Sequence, residues 1–203
     1  MDAPPLILGT HNQKKGAELN ELLAPHGIEV RTLAEFDFAI QVAEDGNSFA
    51  DNACKKATQY AQHLNHWVLG EDSGICVDAL DGGPGIFSAR FSGDDATDQS
   101  NNKHLLDALS NVPLEKRTAH YVCHVALADR NGQVMAQHEE ICQGRIRFEP
   151  SGSGGFGYDP LFEVREYHRT FGELGRSVKS ALSHRARAMR RIIPAIVSRL
   201  NRA

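Results

Sequence analysis

An excess of positive charge is absent from this chain. Lysine and arginine total 22 against 26 aspartates and glutamates, a formal net charge of −4 over 203 residues. That balance offers no global field for gripping nucleic acid, so no nucleic-acid partner is expected. Long apolar runs are absent too. No stretch approaches the ~18 residues of an ordinary transmembrane helix, so no membrane partner is expected. Met1-Asp2-Ala3-Pro4-Pro5 lacks a basic segment followed by an apolar one, so a secretory signal is not expected. Cysteine is sparse, and Cys54, Cys76, Cys123 and Cys142 form no Cys-x-x-Cys pair. Isolated buried thiols in a reducing cytoplasm are the expectation. There is no internal repeat. Hydrophobic residues make up 41%, enough for a real core in one domain or two intimate lobes.

What is present is an α/β pattern. Leu6-Ile7-Leu8 reads as a buried strand ending at Gly9-Thr10, and Gln13 to Ala24 as a helix with Leu19, Leu22 and Leu23 on one face. Ile28 to Leu33 alternates as a second strand. Asn47-Ser48 offers a cap for a helix from Phe49 to Leu64. Trp67-Val68-Leu69 is a strand expected to stop at Gly70, with extended structure resuming at Ile75. Thr97 caps a helix running to about Leu109. Arg117 to Ala128 alternates over a long span, Asn131-Gly132 is a strong hairpin signal, and Gln133 to Gly144 returns as the partner strand. A last helix is expected from about Ser183 to Leu200, with Pro194 kinking or shortening it. The sum is a mixed sheet with flanking helices and one long central hairpin.

The most informative segment is Ser151-Gly-Ser-Gly-Gly-Phe156-Gly-Tyr158-Asp159-Pro160. Glycine permits φ > 0 and close approach, so Phe156 is expected to project from a bare backbone with its ring face free. A flat ligand can stack there, and Asp159 can accept a hydrogen bond from a ring N–H. A flexible Gly/Ser linker is the plain alternative. The Phe-Gly-Tyr-Asp-Pro run favours a binding loop.

Other polar residues break the pattern. Thr10-His11-Asn12-Gln13-Lys14-Lys15 lies where a strand meets a helix, and free N–H groups at a helix start bind phosphate readily. An ordinary capped helix with solvated lysines fits it as well. Lys56 falls with Asn52 on the core-facing stripe of its helix, so it must snorkel, pair or serve a site. Glu71-Asp72-Ser73-Gly74 and Glu44-Asp45-Gly46 are acidic clusters, each of which alone reads as a solvated turn. Together with lysines on two helices they make a site for Mg²⁺ and a triphosphate. Lys179-Ser180-Ala181-Leu182-Ser183-His184-Arg185 places three donors at the start of a helix, against its dipole, which favours recognition over capping.

In this order the motifs Thr10-x-Asn12-x-x-Lys15, Glu71-Asp72-Ser73-Gly74, Gly83-Pro84-Gly85-Ile86-x-Ser88-Ala89-Arg90-Phe91, Gly154-Gly-Phe-Gly-Tyr-Asp-Pro160 and Ser183-His184-Arg185 resemble the Ham1/inosine triphosphate pyrophosphatase family. The likeness is to its bacterial branch acting on noncanonical purine nucleoside triphosphates, and it runs from about Ile7 to Ile196. His11 stands where the family often has glycine, and Val178 where an acid is common. The resemblance implies an elongated two-lobed mixed-sheet α/β fold over residues 1–203, an active-site cleft between the lobes, a homodimer and a cytoplasmic location. It implies Mg²⁺-dependent hydrolysis of ITP, dITP and XTP to the monophosphate and pyrophosphate, cleansing the nucleotide pool. Carried over, Asp72 and Lys56 are the catalytic pair and Glu44, Glu71 and Asp72 the metal set. Thr10, Asn12, Lys15, Ser73, Phe156, Gly157, Tyr158, Asp159, Lys179, His184 and Arg185 contact substrate, with Phe156, Asp159, Lys179, His184 and Arg185 around the base. Two alternatives stand beside it: a Maf-type pyrophosphatase for modified or pyrimidine nucleotides, and a non-catalytic nucleotide-sensing module.

Overall fold

The computed structural model describes residues 4–37 and 40–201, so Met1, Asp2 and Ala3 of the segment read above for a signal pattern lie outside it. Among the described residues five α-helices and seven strands follow one another: β1 (Leu6–Leu8), α1 (Gln13–Leu23), β2 (Val30–Thr32), α2 (Phe49–Leu64), β3 (Trp67–Val77), α3 (Asp98–Ala108), β4 (Thr118–Ala128), β5 (Val134–Ile146), β6 (Phe162–Val164), β7 (Arg169–Thr170), α4 (Arg176–Leu182) and α5 (His184–Leu200). The strands bond in the order β2-β1-β3-β4-β5-β6-β7. β1 is parallel to β2 and β3, while β6 is antiparallel to β5 and β7, so the sheet is mixed and open.

The chain divides into two compact units. The first holds residues 1–72, 123–139 and 188–203, and the second 73–122 and 140–187. In the first, strand alternation builds two cores. Leu6, Leu8, Leu69, Val125 and Leu127 meet Leu19 and Leu23 of α1 and Met189, Ile192 and Ile196 of α5. Ile7, Val68, Ala126 and Ala128 meet Ala53, Ala57, Tyr60 and Leu64 of α2. A strand covered on both faces has no polar side, which is why β1 reads as an unbroken apolar run. The second unit has an aromatic core: Tyr121, Tyr158, Phe162 and Phe171 with Leu105, Leu161 and Leu174. Among the described residues no helix is long and apolar enough to cross a membrane.

Several elements differ from the sequence pattern. β3 does not stop at Gly70 but runs unbroken through Glu71-Asp72-Ser73 to Val77. Gly70 is there because α2 presses on the strand. A Cβ would lie 2.6 Å from Ala57 N and 3.0 Å from Ala57 Cβ, and closer still to the Ala53 carbonyl oxygen. The lysine–serine stretch before Ser183 forms a separate helix, α4, which the basic composition hid. Ser183 then caps α5, its hydroxyl accepting from Ala186 N at 3.2 Å. α5 passes through Pro194 to Leu200 without being shortened. Ile192, Ile196 and Leu200 are buried on either side of the exposed proline and hold the helix through it. Short β6 and β7 carry too few residues for an alternation signal.

Gly70→Ala should cost about 3 kcal/mol or more, because neither neighbour is a flexible side chain that can give way. Urea denaturation checks this, and a loss below about 0.5 kcal/mol would show that α2 can retreat.

Candidate active site

In the first unit the close α2–β3 contact places Asp72, midway along β3, beside two α2 side chains one turn apart. Lys56 is buried, and its Nζ lies 3.3 Å from Asp72 Oδ1 and 3.2 Å from Glu44 Oε1. Of the roles open to Lys56, it takes pairing. Asn52, 1% exposed, donates from Nδ2 to Asp72 Oδ2 at 3.0 Å and accepts from Gly46 N at 2.8 Å. It thus ties the acidic 44–46 loop to Asp72 in the middle of β3. The sequence placed Asn52 on the core stripe without giving it a role; its i, i+4 spacing from Lys56 was the signal.

Lys15, on the first turn of α1, reaches Glu71 Oε1 at 3.2 Å, and Glu71 is buried. Asn12 caps that helix by accepting from Lys15 N at 3.4 Å, and Thr10 Oγ1 accepts from Asn12 N at 3.2 Å. Thr10, Asn12 and Lys15 therefore form one capped turn. Lys55 points elsewhere and pairs with Asp45.

Burial pushes the Asp72 carboxyl above the ordinary aspartate value. The Lys56 charge and the Asn52 hydrogen bond pull it back, and Glu44 pushes it up. Burial outweighs its partners, and a carboxylate so raised is a better proton acceptor than a solvated one.

The second unit gathers the remaining predicted residues. The Gly154–Asp159 loop is tied from within: Asp159, 2% exposed, accepts from Phe156 N at 2.8 Å through Oδ2 and pairs with Lys179 through the same atom. Asp159 Oδ2 is thus an anchor of the loop, where the sequence suggested only a ligand acceptor. Gly155 sits at φ +80°, and a Cβ there would lie 2.8 Å from Asp159 Cγ. Only glycine fits that turn.

Phe156 is 51% exposed, but its ring is not bare. Lys179 Nζ lies 4.1 Å and Arg185 Cζ 5.7 Å from its centroid. Arg185 is buried and donates to Ser73 Oγ at 3.4 Å. His184, also buried, stacks on Tyr121 with ring centroids 4.6 Å apart and planes 10° from parallel. Tyr121 lies within the alternating Arg117–Ala128 span, and that alternation by itself gave it no role at a site. Tyr158 donates from its hydroxyl to Ser88 O at 2.7 Å, so it braces the loop on the Gly85–Arg90 turn. Two cations, an aromatic and a stacked imidazole suit a planar, carbonyl-bearing ring.

The Ham1 family model matches residues 6–195. The chain belongs to the Ham1 family. A dITP/XTP pyrophosphatase from Rhodopirellula baltica is 52% identical over 192 residues, covering 95% of this chain and 92% of that protein. One from Desulforamulus reducens is 47% identical over 195 residues, covering 96% of each. A HAM1 protein from Coxiella burnetii superposes with a TM-score of 0.89 at 33% identity, covering 96% of this chain and 99% of that one. A Mycobacterium abscessus structure titled nucleoside-triphosphatase and dITP/XTP pyrophosphatase gives 0.78 at 39% identity, with 94% and 99% covered. Family membership and the mixed α/β fold therefore stand as the sequence motifs implied.

In an NMR titration the Asp72 carboxyl should have its midpoint above the ordinary value of about 4. Lys56→Met removes a lowering charge and should move it further up. Because the folded value lies above the unfolded one, the ionised carboxylate weakens the fold, and this cost grows as pH rises through that window. Asp72→Asn should therefore melt no lower than wild type at pH 7, and the difference should vanish once pH falls below both values. A midpoint below the ordinary value, or a downward move in Lys56→Met, would contradict this account.

Proposed function

We propose that this chain hydrolyses noncanonical purine nucleoside triphosphates, namely ITP, dITP and XTP, to the monophosphate and pyrophosphate. The carrying observation is the Lys56–Asp72–Asn52 centre, a proton-accepting carboxylate held beside a buried ammonium. The names of the relatives point to the same substrates. A Maf-type reading is not favoured, since the Ham1 model covers nearly the whole chain. Residues 1–203 act as one pyrophosphatase domain with divided roles: the first unit's polar centre handles the phosphates, and the second unit's aromatic and cationic cluster reads the base. The same proposal includes a homodimer in the cytoplasm.

Phosphoryl chemistry of this kind rests on positioning and charge neutralisation. Lys15, Lys56 and the Asn12-capped turn of α1 bind the phosphate chain. Asp72, aligned by Asn52, orients the attacking water and takes its proton as the P–O bond to pyrophosphate breaks. Among the described residues no three His, Cys, Asp or Glu side chains stand together tightly enough to hold an ion alone. The donors are hard carboxylate oxygens, and Mg²⁺ commonly completes one or two such ligands with substrate phosphates, so the residues fit it. Glu44, Glu71 and Asp72 would hold it, and bound there it would draw negative charge off the phosphates. In the second unit Phe156 stacks on the purine, while Lys179, His184 and Arg185 donate to its ring carbonyl. Adenine offers a donor at that position, and a buried donor facing a donor is strongly disfavoured.

Incubation with ITP and Mg²⁺ should release IMP and pyrophosphate; IDP and phosphate would overturn the proposal. Asp72→Asn should fold and lose roughly 10²–10⁴ in turnover, the usual scale for a general base.

Base selectivity gives a separate test. Phe156→Ala should weaken ITP and residual GTP use alike. Arg185→Ala should lower ITP turnover far more than the already poor ATP turnover. Comparing kcat/KM for ITP, XTP, GTP and ATP checks both variants, and an unchanged ITP/ATP ratio in Arg185→Ala would rule out the carbonyl readout.

A further inference from the structure

We propose that Asp98 and Asn102 of α3 are positioning residues that clamp Gly157 from both sides and so fix the ring of Phe156 for base stacking. The inference rests on the stacking role given above to Phe156. Asp98 Oδ2 accepts from Gly157 N at 2.7 Å, and Asn102 Nδ2 donates to Gly157 O at 3.0 Å. The two are spaced i, i+4, so they share one face of the helix and reach the same residue. Of the four successive backbone polar groups of Phe156 and Gly157, side chains engage three, Phe156 N–H, Gly157 N–H and Gly157 C=O, and the Phe156 carbonyl accepts from Asp159 N at 3.3 Å.

The consequence follows from how the ring itself is held, since Asp159 bonds only the Phe156 backbone, its carboxylate at the N–H and its own N–H at the carbonyl. That ring is half exposed, and the cation–π approaches of Lys179 and Arg185 come from long, rotatable side chains. The direction of the ring is therefore set by the backbone on either side of it. On the C-terminal side that backbone turns at Gly157 with φ +62°, a conformation that glycine enters and leaves readily. An unclamped Gly157 would let the Phe156 carbonyl and ring swing together. α3 is a firm anchor: Leu105 is fully buried in the second unit's core, and buried Asn101 bonds the Ser88 and Ala89 carbonyls and the Ser92 amide. Asp98 is exposed, so its bond to Gly157 N adds little to the core and much to the loop. With Gly157 N–H and C=O both occupied, the loop backbone at this residue does not read base edges, which leaves the choice between bases to side chains.

The test is a double-mutant cycle with ITP. Asp98→Ala and Asn102→Ala should each raise KM roughly tenfold, the scale of one charge-assisted or well-placed hydrogen bond, with kcat little changed. Asp98→Asn keeps an acceptor oxygen and should restore most of the loss, which a role limited to the α3 dipole would not allow. In the Phe156→Ala background both KM effects should disappear, since the ring they orient is gone. Penalties that persist unchanged in that background, or that fall on kcat alone, overturn the proposal. Backbone amide exchange reads the clamp without activity: Gly157 N–H should be protected in wild type and exchange at least about tenfold faster in Asp98→Ala. Absence of ITP hydrolysis by wild type would sink the proposed reaction, whereas unaltered Gly157 exchange would sink the clamp itself.

Discussion

The contact between Gly70 and the backbone of α2 is the constraint on which the first unit's polar centre depends. Gly70 rests where a Cβ would strike Ala53 and Ala57, so the strand and helix approach more closely than side chains normally allow. Two residues further along β3 is Asp72, and directly before Ala53 and Ala57 on α2 are Asn52 and Lys56. At a usual helix–sheet distance these short reaches, 3.0 Å from Asn52 and 3.3 Å from Lys56, would open. The alanines of α2 serve the same end. Their burial supplies modest apolar area but permits proximity, and the larger apolar gain comes from the opposite face, where Leu and Ile of α1, β1 and α5 pack.

Proximity alone would make a cost. A carboxylate and an ammonium withdrawn from water stabilise a fold only when further hydrogen bonds complete them. Asn52 does this for Asp72 and, through Gly46, draws the acidic loop in so that Glu44 completes Lys56. The compensation is partial, since burial still holds the Asp72 carboxyl above its ordinary range. A structural ion pair would be expected to end on the other side of that value. Strain kept at one carboxylate while its neighbours are satisfied is the pattern of a group arranged to accept a proton.

Sequence reasoning reached the fold where periodicity was long or flanked by firm punctuation. β4 and β5, with Asn131-Gly132 between them, and the apolar stripe of α5 were legible for that reason. It failed where one residue type has two causes. Gly70 was read as a breaker because a strand-ending glycine and a close-packed glycine look alike without the partner helix. α4 was hidden because Lys179 and its neighbours lack an apolar stripe of length. In the site, residue types were legible and their partners were not. Asp159 was placed in the right loop, but its bond to Phe156 N depends on a turn that only the φ of Gly155 makes. Asn52 and Tyr121 looked like core because each lies on a buried face, and burial alone does not separate packing from positioning.

The two units manage charge in opposite ways, and this bears on what each can bind. In the first, three carboxylates, Glu44, Glu71 and Asp72, face two ammonium groups, Lys15 and Lys56, leaving one negative charge in excess. A triphosphate brings several more, so its entry is opposed unless positive charge arrives with it. Under the proposed function, a divalent cation carried by the nucleotide would meet that need. In the second unit Lys179 and Arg185 stand beside the Phe156 ring, and Lys179 pairs with the buried carboxylate of Asp159. Positive charge is thereby gathered at an aromatic face. Under the proposed function, such an arrangement favours a ring that presents carbonyl oxygens and penalises one that presents an amine. Selection against adenine would then rest on donors that a ring carbonyl satisfies and an amine does not.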